Sequence, residues 1–139
     1  MELSDQVAIV TGAGQGIGKA AALALAAAGA DVVASDINGA SAEERAAAIT
    51  LNGPRALAIQ ADVGNTQDID RLVREAVARF GKVDILVNNA GVTRRAYIRD
   101  LTEDDWDRIF RVNAKGVFFC LQRVAREMIP QRMRANCSR

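Results

Sequence analysis

The 139-residue sequence predicts an α/β fold, a doubly wound parallel sheet in three αβα layers, and three observations carry that reading. Short β-type runs alternate with longer stretches of helical periodicity. Gly29, Gly53 and Gly81 close the first three helical stretches. Half of the residues are hydrophobic and a quarter charged, the balance of a globular chain with one core.

Gln6 to Thr11 (QVAIVT) is the first strand, almost wholly apolar and followed at once by glycines. A helix then runs from about Ile17 to Ala28, with Gly29 suited to the C′ position. The apolar stretch Ala20 to Ala30 spans eleven residues. A membrane span needs about 20 residues, so this segment is a buried helix. Asp31 to Ser35 (DVVAS) is the second strand. The next helix opens at Ser41, three residues before Glu44 in capping-box spacing, and fades before Gly53-Pro54. Arg55 to Gln60 (RALAIQ) is the third strand. Ile69, Leu72, Val73, Ala76, Val77 and Phe80 recur at the spacing of one buried helix face, which Gly81 ends.

Val83 to Val87 (VDILV) is the fourth strand. A long helix begins near Glu103 with Thr102 as its N-cap. On it Trp106, Phe110, Asn113 and Val117 form one stripe, which predicts that the Asn113 amide turns toward an otherwise apolar face. The segment 131–139 (QRMRANCSR) has no β-branched run and no period of two, and reads as an atypical tail. At roughly 30 residues per βα unit the chain supplies about four units, a single domain over 1–139 that stops short of the six strands of a full doubly wound sheet. The fourth strand then has an open edge, so the chain is expected to be marginal or to pair with a second copy through that edge or the long helix.

Composition excludes several chemistries. Without a histidine there is no Ser-His-Asp or Cys-His relay, and no metal site is expected. A formal charge of +1 gives no global attraction to nucleic acid or to an anionic membrane, and neither partner is expected. The arginines 123, 126, 132, 134 and 139 read as a solvated helix end. Cys120 and Cys137 form no CxxC pair and read as free thiols. Met1 to Gln6 has no basic n-region, and a cytoplasmic location is the expectation.

The first βα turn reads Thr11-Gly12-Ala13-Gly14-Gln15-Gly16-Ile17-Gly18. A strand that feeds a glycine-rich turn into a helix N-terminus makes an anion site, since free N–H groups and the positive end of the helix dipole converge there. The strict GxGxxG pattern fails at Ile17, and the P-loop fails because Ala13 stands at its first glycine and Ala20 follows Lys19. TGxxxGxG fits through Gly12, Gly16 and Gly18. Gly12, Gly14 and Gly16 also fit the GxGxG turn of S-adenosylmethionine methyltransferases, so the spacing alone leaves two classes open. Asp36 ends the second strand, where a Rossmann-type sheet brings a carboxylate to the adenosine ribose. Such a carboxylate accepts from both ribose hydroxyls and repels a 2′-phosphate, and neither Gln15 nor Ile37 offers a compensating charge. NAD is therefore expected over NADP.

Together TGAGQGIG at Thr11 to Gly18, Asp36, Ala61-Asp62-Val63, Asn88-Asn89-Ala90-Gly91 and Val112-Asn113-Ala114-Lys115-Gly116 resemble the classical short-chain dehydrogenases/reductases. The resemblance runs from the first strand to about Pro130. It implies that the Gly12 to Gly18 turn, with Gly14, Gln15, Gly16 and Ile17, holds the pyrophosphate and that Asp36 with Ile37 flanks the ribose. It implies further that Asp62 and Val63 flank the adenine and that Asn88, Asn89, Ala90 and Gly91 form the floor beneath the dinucleotide. Asn113 would be the catalytic residue that positions a water in a proton relay.

The family completes its chemistry with a serine and a Tyr-x-x-x-Lys, which this chain lacks: Tyr97 has Leu101 four residues later, and Ser138 is a poor match for the serine. The expectation is the cofactor-binding half of an NAD(P)-dependent oxidoreductase acting on an alcohol or carbonyl, truncated, inactive alone and homo-oligomeric through the long helix. A non-catalytic nucleotide-binding module, or a methyltransferase-like domain, is the alternative.

Overall fold

The computed structural model describes residues 2–137, and their side chains as far as residue 133. Strands β1 (Val7–Thr11), β2 (Asp31–Asp36), β3 (Ala56–Gln60) and β4 (Ile85–Val87) form one parallel sheet in the order β3-β2-β1-β4. Between and after them lie α1 (Gly16–Ala27), α2 (Gly39–Thr50), α3 (Thr66–Phe80) and α4 (Glu103–Phe110). A π-helical segment (Arg111–Gly116) joins α4 to α5 (Val117–Cys137).

The register explains the three layers. Ile9 lies opposite Val33 and Leu86, so these residues share one face of the sheet. That face packs on Leu72 and Val73 of α3 and Val124 of α5. Val10 and Ala34, one residue on, turn to the other face with Val32 and meet Ala22 and Ala26 of α1 and Ile49 of α2. Strand β1 is central and covered on both faces, which is why all five of its residues are buried and why VAIVT has no polar alternation. The order 3-2-1-4 reverses direction between β1 and β4. A crevice opens beyond the carboxyl ends of the strands at such a reversal. Strand β4 pairs only with β1 among the described residues.

Two helix starts follow different caps. Helix α3 takes its cap from Asn65, whose side chain accepts from the N–H groups of Gln67 and Asp68, and ends at Gly81 with φ +82°. Helix α4 begins as its sequence predicts, with Thr102 and Asp105 in a reciprocal capping box. The Ser41–Glu44 box does not form. Asp36 Oδ1 accepts from Asn38 N at 2.9 Å and holds the turn, so the Asn38 side chain reaches the Ser41 N–H first and α2 starts at Gly39.

The stripe expected on the long helix is also corrected. Six residues in π-helical register widen the turn and rotate the positions on either side of it relative to an α-helix. Trp106 is 62 % and Phe110 48 % exposed, stacked on each other at 4.3 Å, and Asn113 is exposed rather than facing an apolar surface. Residues 131–137, where the sequence shows no strand pattern, continue α5 beyond Pro130. The expectation for Ser138 falls outside the described residues. Among the described residues no helix is long and apolar enough to cross a membrane.

Candidate functional site

A cleft of about 550 Å³ opens at the carboxyl ends of β1, β2 and β4. Gly12, Gln15, Gly16, Ile17, Asp36, Ile37, Asp62, Val63, Asn89, Ala90 and Gly91 line it, joined by Ala61, Val92 and Val112. The sequence spreads these residues over a hundred positions, and the parallel topology gathers them because every strand ends on the same side.

At Gly12, Gly14 and Gly18 the glycine turn is fixed by contacts that leave no room for a side chain. Gly12 has φ +64°, and a Cβ there would stand 2.9 Å from Asn89 Nδ2. Gly18 lies behind the cleft, where a Cβ would collide with the Gly12 carbonyl and the Asn89 amide, so this glycine lets α1 approach the turn. Gly14 also lies behind the lining. Helix α1 carries no acidic residue in its first turn and no side chain caps its start at Gln15, so its terminal N–H groups and positive dipole end stay available to an anion.

Asp36 is held rigidly. Its Oδ2 accepts from Gly14 N and its Oδ1 from Asn38 N, both at 2.9 Å. Ile37 and Ile17 stand at the rim, 65 % and 82 % exposed. Large apolar side chains left exposed on a cleft suit the flat apolar faces of a ligand.

Asp62 closes a different corner. Its Oδ1 accepts from Gly64 N at 2.8 Å, and Arg111 Nη1 donates to its Oδ2 at 2.9 Å. Partial burial works against ionisation of this carboxyl, but the Arg111 guanidinium and the Gly64 N–H outweigh it and hold the group below the usual carboxylate range.

The asparagines brace the turn after β4. Asn89 Nδ2 donates to Gly12 O at 3.1 Å, and Thr11 Oγ1 accepts from the N–H groups of Asn89 and Ala90, each at 3.1 Å. Asn88 does not line the cleft; its Nδ2 donates to Val117 O at 3.2 Å and ties the turn to α5. Asn113 does not line it either. It reaches the site through Val92, whose N–H donates to Asn113 Oδ1 at 2.8 Å and whose carbonyl accepts from Asn113 Nδ2 at 2.7 Å.

Two residues at the site carry no sequence signal: Arg111 is one arginine among many, and Arg45 interrupts an alanine-rich helix. Only the fold shows that Arg111 meets Asp62 and that Arg45 Nη2 donates to the Gly14 carbonyl at 3.3 Å.

A family model described as short chain dehydrogenase matches residues 6–136. The chain is 42 % identical over 131 residues to a 3-oxoacyl-[acyl-carrier-protein] reductase of Synechocystis sp., covering 94 % of this chain and 53 % of that protein. It is 46 % identical over 126 residues to versicolorin reductase of Emericella nidulans, covering 90 % and 46 % respectively. Among solved structures, NAD+-bound xylitol dehydrogenase superposes with a TM-score of 0.90 at 36 % identity, over 94 % of this chain and 51 % of that one. The chain thus spans about half the length of the curated relatives it matches.

Proposed function

The chain belongs to the short-chain dehydrogenase family, and on that premise we propose that it carries the dinucleotide-binding part of an oxidoreductase that moves a hydride between a nicotinamide cofactor and an alcohol or carbonyl group of a small molecule. One observation carries the reading: the open N-terminus of α1, the fixed Asp36 carboxylate and the Asp62–Val63 corner all face a single cleft.

The residues present fit such a cofactor. The Gly12–Gly18 turn, including Gly14 and Gln15, takes the pyrophosphate, because the N–H groups at the start of α1 have no competing carboxylate. Each oxygen of Asp36 keeps a lone pair beyond the one given to Gly14 or Asn38, which suits it to the two hydroxyls of an unphosphorylated ribose. Its charge opposes a 2′-phosphate, so the cofactor is NAD rather than NADP. Val63 offers an apolar wall to adenine, and Asp62 a hydrogen-bond acceptor. Asn89, Ala90 and Gly91 form the floor, with Asn88 bracing it from behind. The bound nicotinamide supplies the site that takes or gives the hydride.

Asn113 positions the turn beyond that floor by gripping Val92. A relay water would use the second N–H of its amide or the remaining lone pair of Oδ1. Tyr97 is followed by Leu101 at the fourth position, so these 139 residues contain no tyrosine–lysine acid pair and bind without turning over. Exposed Phe118 and Leu121 on α5 support the reading of this helix as a self-association surface. The free, buried Cys120 suits a reducing cytoplasm.

Calorimetric titration with NAD+ tests the reading, with S-adenosylmethionine alongside and Asp36→Ala as control. Saturable NAD+ binding, weakened about tenfold or more in Asp36→Ala, is expected because the lost carboxylate makes two charge-assisted hydrogen bonds. Undiminished affinity in that variant, or preference for S-adenosylmethionine, overturns the cofactor assignment.

A further inference from the structure

We infer that Arg45 is a specificity-determining residue of this cleft, a buried cation behind its ribose end that Asp36 offsets; the inference rests on the dinucleotide reading above. Arg45 lies on α2 one turn after Ser41, and its side chain is 5 % exposed. Its partners do not match that burial. Nη2 donates to Gly14 O at 3.3 Å, Glu44 stands 3.7 Å away with 77 % of its own side chain in solvent, and Nε has no hydrogen-bond partner among the described residues. A buried guanidinium with so little compensation is costly, and a methionine of similar volume would avoid the cost.

The compensation lies across one residue. Gly14 accepts from Arg45 through its carbonyl and donates through its N–H to Asp36 Oδ2 at 2.9 Å. A Cβ on Gly14 would stand 2.5 Å from Ser41 Cβ and 2.8 Å from Asp36 Oδ2, so the cation-bearing face of α2, the glycine turn and the carboxylate are packed without a gap. Arg45 is buried while Asp36 is half-buried at the cleft wall, so the interaction between them is screened less than one between two surface charges. Gln15 and Ile37, the neighbours of the ribose position, are neutral, and Arg111 is committed to Asp62. Arg45 is therefore the cation that sets the potential behind Asp36. With Asp36 ionised the two charges offset each other and the carboxylate turns a 2′-phosphate away. Without that carboxylate, Arg45 leaves the pocket positive and a 2′-phosphate becomes acceptable.

The test is a double-mutant cycle on the 139-residue chain, read as calorimetric dissociation constants for NAD+ and NADP+. Asp36→Asn is expected to gain NADP+ affinity by about tenfold, and adding Arg45→Met is expected to remove most of that gain, a larger loss than the same substitution causes in NAD+ affinity. Arg45→Gln, which keeps a donor for Gly14 O without the charge, should behave like Arg45→Met and covers the case in which the methionine variant does not fold. Equal NADP+ affinity in Asp36→Asn and in the double variants, with NAD+ binding intact in the parent, overturns the role of Arg45 alone. Absence of NAD+ binding to the parent overturns the dinucleotide reading and this inference with it.

Discussion

Asn113 and Val92 are joined through both ends of one amide: Val92 N–H to Asn113 Oδ1 at 2.8 Å, and Asn113 Nδ2 to Val92 O at 2.7 Å. A side chain thereby completes the backbone pairing of a segment that leaves the sheet at Val87 and, among the described residues, has no strand beside it. The π-helical segment Arg111–Gly116 presents that amide, and its Arg111 donates to Asp62, which lines the cleft.

Loss of this clasp should loosen the turn rather than unfold the chain. Asn113→Ala is expected to cost about 1–2 kcal/mol for two partly solvated hydrogen bonds. Hydrogen exchange at the Val92 amide should accelerate by tenfold or more on the same grounds. Exchange at Val92 that matches the parent would show that the clasp does not hold the turn.

Gly18→Ala and Gly16→Ala separate two reasons for glycine. At position 18 the added methyl meets the Gly12 carbonyl and the Asn89 amide, so α1 must back away from the turn, and a loss of about 1–3 kcal/mol is expected. At position 16 nothing lies within 4 Å, but φ is +55°, and only left-handed backbone strain of about 1–2 kcal/mol applies. Urea denaturation should therefore rank Gly18→Ala below Gly16→Ala; the reverse order contradicts the packing argument.

The Asp62–Arg111 pair predicts a pH dependence. The folded state holds the Asp62 carboxyl below its ordinary value, so its contribution to stability is fully present above the unfolded value of about 4 and is lost as pH falls through the lower folded value. Arg111 is 44 % exposed, so the contribution is small, under about 1 kcal/mol. In Arg111→Met the Asp62 titration followed by NMR should move upward, and acid unfolding should begin at higher pH. An unmoved titration would mean that Gly64 N–H alone sets the value.

Burial pushes the Cys120 thiol up to about 11. The thiolate that alkylating reagents attack is therefore scarce at pH 8, and the side chain is 98 % covered, with 2 % exposure. Iodoacetamide labelling read by mass spectrometry should leave Cys120 unmodified in the native chain and modify it in 6 M guanidinium. Rapid native labelling would show that α5 opens from the sheet.

Exposed Phe118 and Leu121 predict self-association through α5. Sedimentation should show a concentration-dependent dimer that Phe118→Glu weakens. A monomer at every concentration, in parent and variant alike, removes the long helix as an interface.

The alternation of strands and helices, the parallel sheet and the glycine turn are legible along the chain. Those features are written in local periodicity and in positions that only glycine tolerates. Asp36 is legible from its place at the end of the second strand, whereas Asp62 and Asn89 enter only through the resemblance to short-chain dehydrogenases; all three line one cleft because the strands of a parallel sheet end on one side. The fold supplies what depends on partners distant in the chain. It replaced the Ser41 cap by Asn38 through a bond to Asp36. It turned the Trp106–Phe110 face outward through a π-helical segment that an α-helical periodicity does not encode. It also brought Arg45 to Gly14, 31 residues away, and Arg111 to Asp62, 49 residues away. A buried charge or a clasping amide has no pattern along the chain, since its meaning lies in what stands opposite it.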